Sequence, residues 1–133
     1  MGGGGGAASA GTRAAQTTPP TAGFPPGTWG PGLWFLLHAM AAAYPESPTA
    51  EDRRRHAAFL RALAPVLPCG GCRTGMTSLI SCGPLKLTPG VFKDRFSFFR
   101  WTVEFHNAVN VKAGKRVNHD WVFWYKHYTS FRK

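Results

Sequence analysis

The sequence predicts an all-α fold, a bundle of four helices with a short fifth, preceded by a disordered N-terminal tail. Three observations carry this. Apolar residues recur at three- and four-residue spacing from Trp34 onward, the period of a helix face. Pro45, Pro68, Gly83-Pro84 and Gly114 punctuate the periodic segments. No segment shows the clean apolar–polar alternation of a half-buried strand, and no internal repeat is present.

Residues 1–27 are dominated by Gly, Ala, Thr and Pro with one charge, Arg13, and read as the tail, leaving 28–133 as a single working domain. Its first helix opens at Thr28-Trp29-Gly30-Pro31 and stops before Pro45. Thr28 is the candidate cap, and Pro31 falls in the first turn, where a missing N–H costs nothing. Trp34, Leu37, His38, Ala41 and Tyr44 form its inward face. In the second helix Thr49 and Asp52 make a capping box, and Phe59, Leu60, Leu63 and Val66 make the apolar stripe. Pro65 distorts its last turn and Pro68 ends it. The third helix runs from Cys69 or Gly70 to Cys82, with Met76, Leu79 and Ile80 inward. Because Gly70 and Gly71 are poor helix formers, it depends on packing. The fourth spans Val91 to Ala113 with Gly114 at its C-cap. Phe92, Phe96, Phe99, Val103, His106 and Asn110 fall on one stripe that begins aromatic and ends polar. Asn118 or Asp120 then caps a fifth helix through Trp121, Trp124 and Tyr128.

The formal net charge is +10, nearly all of it in 28–133, which suits nucleic acid, an anionic surface or a polyphosphate ligand. The cations are scattered, however: Arg53-Arg54-Arg55 in one helix, Lys112, Lys115 and Arg116 at the end of another, Arg132-Lys133 at the terminus. That reads as a solvated surface. No apolar run approaches the roughly 20 residues of a membrane span. The N-terminus lacks the apolar core of a signal peptide, and Gly6 stands where a myristoylation motif needs Ser or Thr. With three cysteines, one is left unpaired within a single chain.

The chemistry concentrates in two places. Cys69-Gly70-Gly71-Cys72 is a Cys-x-x-Cys at a helix start, where unpaired N–H groups and the positive dipole end lower a thiol pKa. Such a pair closes a small disulfide ring or grips a metal. The second place is His106-Asn107-x-x-Asn110-x-Lys112-x-x-Lys115, a polar end on a buried stripe. Buried polar groups need partners, from an internal network or a ligand. Trp34 and His38 add an aromatic slab and a second imidazole one turn apart. Together these suit a planar heterocycle with a polyphosphate tail.

Trp29-Gly30-x-x-x-Trp34-x-x-x-His38, Tyr44-Pro45, Pro68-Cys69-x-x-Cys72 and Trp101-x-x-x-x-His106-Asn107-x-Val109-Asn110-x-Lys112-x-Gly114-Lys115 stand in this order. In that register the chain resembles the Erv/ALR family of flavin-linked sulfhydryl oxidases, from Trp29 to about Asp120. The resemblance implies a homodimeric helical bundle with non-covalently bound FAD. It makes Cys69 the outer cysteine that exchanges with a substrate dithiol and Cys72 the inner one facing the flavin. It places Trp34, His38, His106, Asn107, Val109, Asn110, Lys112 and Lys115 on FAD-contacting positions. Trp29, Gly30, Tyr44, Arg116 and Lys126 are further candidates. The implied reaction joins thiols into disulfides and passes the electrons to molecular oxygen, giving hydrogen peroxide. The implied partners are a dithiol protein substrate or redox carrier and a second copy, with no nucleic acid, membrane or metal. The cytoplasm is the expected compartment, the host's or the virion if the chain is viral, with the mitochondrial intermembrane space as the alternative.

Two departures stand out. Val103 and Asp120 occupy positions where many family members carry a second cysteine pair, and residues 1–28 hold no cysteine for an N-terminal shuttle. The rival reading is a zinc-stapled, basic nucleic-acid-binding module, with Cys82, His106, His119 or His127 completing a site at Cys69 and Cys72. Their spacing matches no common zinc module. Cys82 reads as a small buried apolar residue, or else as an intersubunit disulfide or exchange site; His56 and His119 read as surface histidines. Arg73 reads as a thiolate stabiliser or a solvated arginine.

Overall fold

The computed structural model describes residues 23–133, so the tail reading for 1–22 lies outside the described residues. Within them five α-helices come in order: α1 Pro26–Ala43, α2 Ala50–Leu63, α3 Gly70–Ser81, α4 Arg95–Lys112 and α5 Trp121–Thr129. Two 3-10 turns, Ala64–Val66 and Pro89–Phe92, lead into α3 and α4. Among the described residues there is no strand, and an isolated antiparallel bridge joins Gly23 to Cys69.

Helix α1 begins earlier than expected, because Pro26 at its first position already has the helical φ and needs no N–H. Thr28 therefore does not cap it; its hydroxyl donates to the Pro25 carbonyl at 2.7 Å, and Pro31 lies inside the helix. Gly23 and Phe24, expected in the tail, are tied to the Pro68–Cys69 turn instead. Leu37, His38, Ala41 and Tyr44 are buried as expected.

The capping box of α2 forms as read: the Asp52 N–H donates to Thr49 Oγ1 at 3.0 Å and the Thr49 N–H to Asp52 Oδ2 at 2.8 Å. Its stripe does not. Phe59 and Val66 are exposed, and the buried line runs Leu60, Ala64, Leu67, with Pro65 tightening the chain into a three-residue turn that leaves Val66 outside. Cys69 and Cys82 flank α3 as its caps, and Gly83 terminates it with φ +80°. Cys82 is exposed rather than buried: beyond the last helical turn it is extended, and its Sγ reaches only the Ser78 carbonyl, at 3.4 Å.

Helix α4 starts at Arg95, not Val91, since the Asp94 carboxylate takes the cap position by accepting the Ser97 N–H at 2.8 Å. The single-stripe reading is also corrected. Phe96 is 42% exposed, whereas Phe98, Phe99, Trp101, Thr102, Val103, Phe105 and Asn107 are buried. A helix packed against α1, α5 and the 89–92 turn has several inward faces. Each fully buried phenylalanine contributes about 1.5–3 kcal/mol, so α4 is the main post of the core. Gly114, φ +69°, ends it, and Asp120 caps α5 by accepting the Phe123 N–H at 3.0 Å.

Candidate active site

The turn between α2 and α3 holds the two cysteines in a disulfide, with Cα atoms 5.1 Å apart. Cys69 is also the N-cap of α3: its Sγ accepts the Cys72 N–H at 3.2 Å, one of the orphan donors of the helix start. Cys69 is 2% exposed, while Cys72 is half-buried against the core. The Arg73 guanidinium donates to the Leu67 carbonyl at 2.7 Å, so it braces the turn in front of the cysteines. Trp29 also serves this neighbourhood, its indole N–H donating to the Phe24 carbonyl at 2.8 Å.

A second constellation forms where α1 packs on α4. The rings of Trp34 and His106 stack with centroids 3.9 Å apart and planes 9° apart. His38 Nδ1 lies 3.0 Å from Thr102 Oγ1, and His38 Nε2 lies 3.1 Å from His106 Nδ1. Burial, then the neighbouring His106, lowers the His38 pKa from 6.5 to about 3. Burial, then the Lys115 charge, lowers His106 to about 4. Both rings are thus neutral near pH 7, and the hydrogen bonds assign their tautomers. Thr102 spends its proton on the Phe99 carbonyl at 2.7 Å, so its oxygen must accept from His38 Nδ1–H. His38 Nε2 is then the acceptor for His106 Nδ1–H, and His106 Nε2 is left with a lone pair and no partner among the described residues. No acid is needed. Tyr128 lies over His38 at 5.0 Å, and burial raises its hydroxyl pKa.

Sequence reasoning missed Thr102 and Tyr128 as members of this cluster. Thr102 had a signal, standing four residues before His106 on the same helix face. Tyr128 had none beyond its place in α5.

The remaining candidates divide. Asn107 is buried and fully used: its Oδ1 accepts the Asn118 N–H at 3.1 Å and its Nδ2 donates to the Asn118 carbonyl at 3.0 Å. Beside it, His119 Nδ1–H donates to the Glu104 carboxylate at 2.8 Å. Val109 packs on the core, and the Asn110 carbonyl accepts the Lys115 N–H at 2.8 Å. Lys112, Lys115 and Arg116 are exposed, and no ion pair among the described residues engages them; Lys126 is exposed on α5. Gly30 is buried one turn before Trp34, and a Cβ there would meet no atom within 4 Å. Tyr44 is not brought to this cluster. Its hydroxyl donates to the Phe92 carbonyl at 2.8 Å, and its ring packs edge-on against His56 and Phe98 in the core. His56, read as a surface residue, is half-buried there, because its Nδ1–H reaches the Asp52 carbonyl at 2.8 Å.

A flat stacked face, one lone-pair acceptor and three cations outside any ion pair fit a planar heterocycle carrying phosphates. They do not fit zinc, since Cys69 and Cys72 spend their sulfurs on each other. Among the described residues no three His, Cys, Asp or Glu side chains gather as metal ligands.

The chain is similar to known proteins in both sequence and fold. The model of the Erv1 / Alr family matches residues 31–129. A probable FAD-linked sulfhydryl oxidase of Acanthamoeba polyphaga mimivirus is 38% identical over 92 residues, covering 69% of this chain and 63% of that protein. The mitochondrial FAD-linked sulfhydryl oxidase ERV1 of Saccharomyces cerevisiae is 33% identical over 97 residues, covering 73% of this chain and 48% of that protein. The crystal structure of the FAD binding domain of Erv1 from Saccharomyces cerevisiae superposes with a TM-score of 0.70 at 29% identity, over 80% of this chain and 95% of that one. The chain thus spans about two-thirds of the first of these relatives and about half of the second, and nearly all of the FAD binding domain.

Proposed function

The chain belongs to the Erv1 / Alr family, and from that premise we propose that it is an FAD-dependent sulfhydryl oxidase making disulfides in dithiol substrates. The observation that carries this reading is the closed Cys69–Cys72 ring at the head of α3. A substrate thiolate attacks Cys69 Sγ, and Cys72 leaves as a thiolate beside the helix N-terminus. The second substrate thiol, deprotonated, then displaces Cys69, whose thiolate is met by the Cys72 N–H that already points at it. The substrate is oxidised by two electrons, the ring is reduced to two thiolates, and the two substrate protons pass to solvent.

FAD, when bound, would supply the acceptor for that electron pair, with molecular oxygen as the proposed final oxidant and hydrogen peroxide as its product. The chain's own residues hold it. Trp34 and His106 offer the flat face, and His106 Nε2 accepts a ligand N–H or hydroxyl. His38 and Thr102 keep His106 in that tautomer. Lys112, Lys115, Arg116 and Lys126 supply positive charge for the diphosphate, with Gly30, Val109 and Asn110 lining the space. Asn107 works one step back, anchoring the loop that carries the cations. A second copy is the proposed partner, and Leu36 and Phe59, exposed on α1 and α2, are apolar residues available to such an interface. The mimivirus relative supports a viral or host-cytoplasmic setting. Among the described residues no helix is long and apolar enough to cross a membrane.

The purified protein should show a flavin absorption spectrum and consume oxygen when dithiothreitol is added. Cys69→Ser and Cys72→Ser should keep the flavin and lose about 100-fold or more of the oxygen uptake. A colourless protein that consumes no oxygen sinks the reading.

A further inference from the structure

Cys69 is the sulfur a substrate must reach, and it is 2% exposed. Lying across it is the chain's own Gly23–Phe24 segment. Gly23 is bridged antiparallel to Cys69, and the Phe24 N–H donates to the Pro68 carbonyl at 3.0 Å. Gly23 has φ +99°, and a Cβ built on it would collide with the Pro68 carbonyl oxygen, so only glycine fits. The Trp29 indole N–H takes the Phe24 carbonyl at 2.8 Å, returning the segment to α1. The Phe24 ring is 71% exposed. The segment is therefore held mainly by hydrogen bonds in reach of water, with little burial of its one large side chain, and is cheap to lift.

We propose that Gly23–Phe24 is a strap occupying the Pro68–Cys69 backbone strip on which an extended, cysteine-bearing segment of the substrate docks, so that thiol exchange at Cys69 requires the strap to lift. This rests on the oxidase reading above and adds the substrate's docking mode to it. The geometry favours an extended occupant. The Phe24–Pro68 hydrogen bond flanks the Gly23/Cys69 pair rather than joining it, and in such pairs opposed Cα atoms approach to about 4.5 Å. That is within the span a disulfide bridges, about 4.4–6.8 Å. A substrate cysteine taking the place of Gly23 in ordinary extended backbone thus meets Cys69 at mixed-disulfide range, with its neighbour's N–H on the Pro68 carbonyl. The bond from substrate sulfur to Cys69 Sγ forms, the Cys69–Cys72 bond breaks, and the electron pair leaves on Cys72.

Gly23→Ala puts a Cβ into the Pro68 carbonyl, and Phe24→Pro removes the donated N–H. Either change in the full-length, flavin-loaded chain should raise kcat/KM for a short unstructured dithiol peptide about fivefold, by raising the fraction of molecules with an open strip. In the unaltered chain, amide exchange at Phe24 should speed up when the same peptide with both cysteines replaced by serine is added. Rates unchanged or lowered in both variants, or Phe24 protection that persists under saturating serine peptide, overturn the strap while leaving the oxidase reading intact. A loaded chain that oxidises neither the peptide nor dithiothreitol brings down the oxidase reading itself.

Discussion

His38 sits at 3% exposure with both ring nitrogens committed, and the physics of that burial sets how the protein meets acid. The unfolded chain takes up a proton on each histidine near pH 6.5, whereas folded His38 and His106 do so only near 3 and 4. The stability contributed by the neutral pair is therefore complete above pH 6.5 and is lost as pH falls toward those values, by about 1.4 kcal/mol per pH unit for buried His38 and by less for His106, which solvent partly screens. Asp52 and Asp94, held low mainly by the backbone bonds from Thr49 and Ser97, act below this window. Denaturant unfolding at pH 7 and pH 5 should show a loss of about 2–3 kcal/mol, with the smaller part of it gone in His106→Gln. A flat profile would show that these rings are not buried neutral. Register within each helix, together with the family resemblance, placed Trp34, His38 and His106 in one site. Their ordering into one chain of donors and acceptors was not legible, because it depends on Thr102 turning its proton toward Phe99.

Helix α4 shows which parts of an element a sequence displays. Caps and stops are local chemistry, so Thr49 with Asp52, Gly83, Gly114 and Asp120 all function at the places read for them. Faces are not local. A wheel drawn for one neighbour put Phe96 inside and overlooked Phe98 and Phe105, since α4 has three neighbours. The tie between α4 and the chain leading to α5 was equally hidden. Val103 and Asp120 offer no disulfide there, but residues beside them do the joining through Glu104–His119 and Asn107–Asn118, contacts 11 to 15 residues apart with no periodic signature. Asn107→Ala should cost about 1–3 kcal/mol, lowering Tm by several degrees. It should also weaken flavin binding by loosening the loop of Lys115 and Arg116. Thermal unfolding and flavin titration read the two effects separately, and an unchanged Tm would show that the clamp carries little.

Across the molecule, every one of the six carboxylates is already engaged. Asp52, Asp94 and Asp120 cap helices; Glu46 meets Arg95, Glu51 meets Arg54 and Arg55, and Glu104 meets His119. The net charge of +10 is thus spread over a surface with no acid to spare, and it draws anionic partners from every side. With an acidic dithiol peptide as substrate, kcat/KM should fall about tenfold from low to high salt, while the value for uncharged dithiothreitol stays level. Equal salt slopes for both would remove steering from the account. The Cys69 sulfur, proposed above as the one the substrate attacks, is the same atom that closes the end of α3. Released from the ring as an anion, it accepts the Cys72 N–H more strongly than a neutral sulfur can. The head of α3, already tied by that bond at 3.2 Å in the closed ring, should therefore be held more firmly in the reduced protein than in the oxidised one, so that each disulfide delivered is accompanied by a stiffening of one helix end.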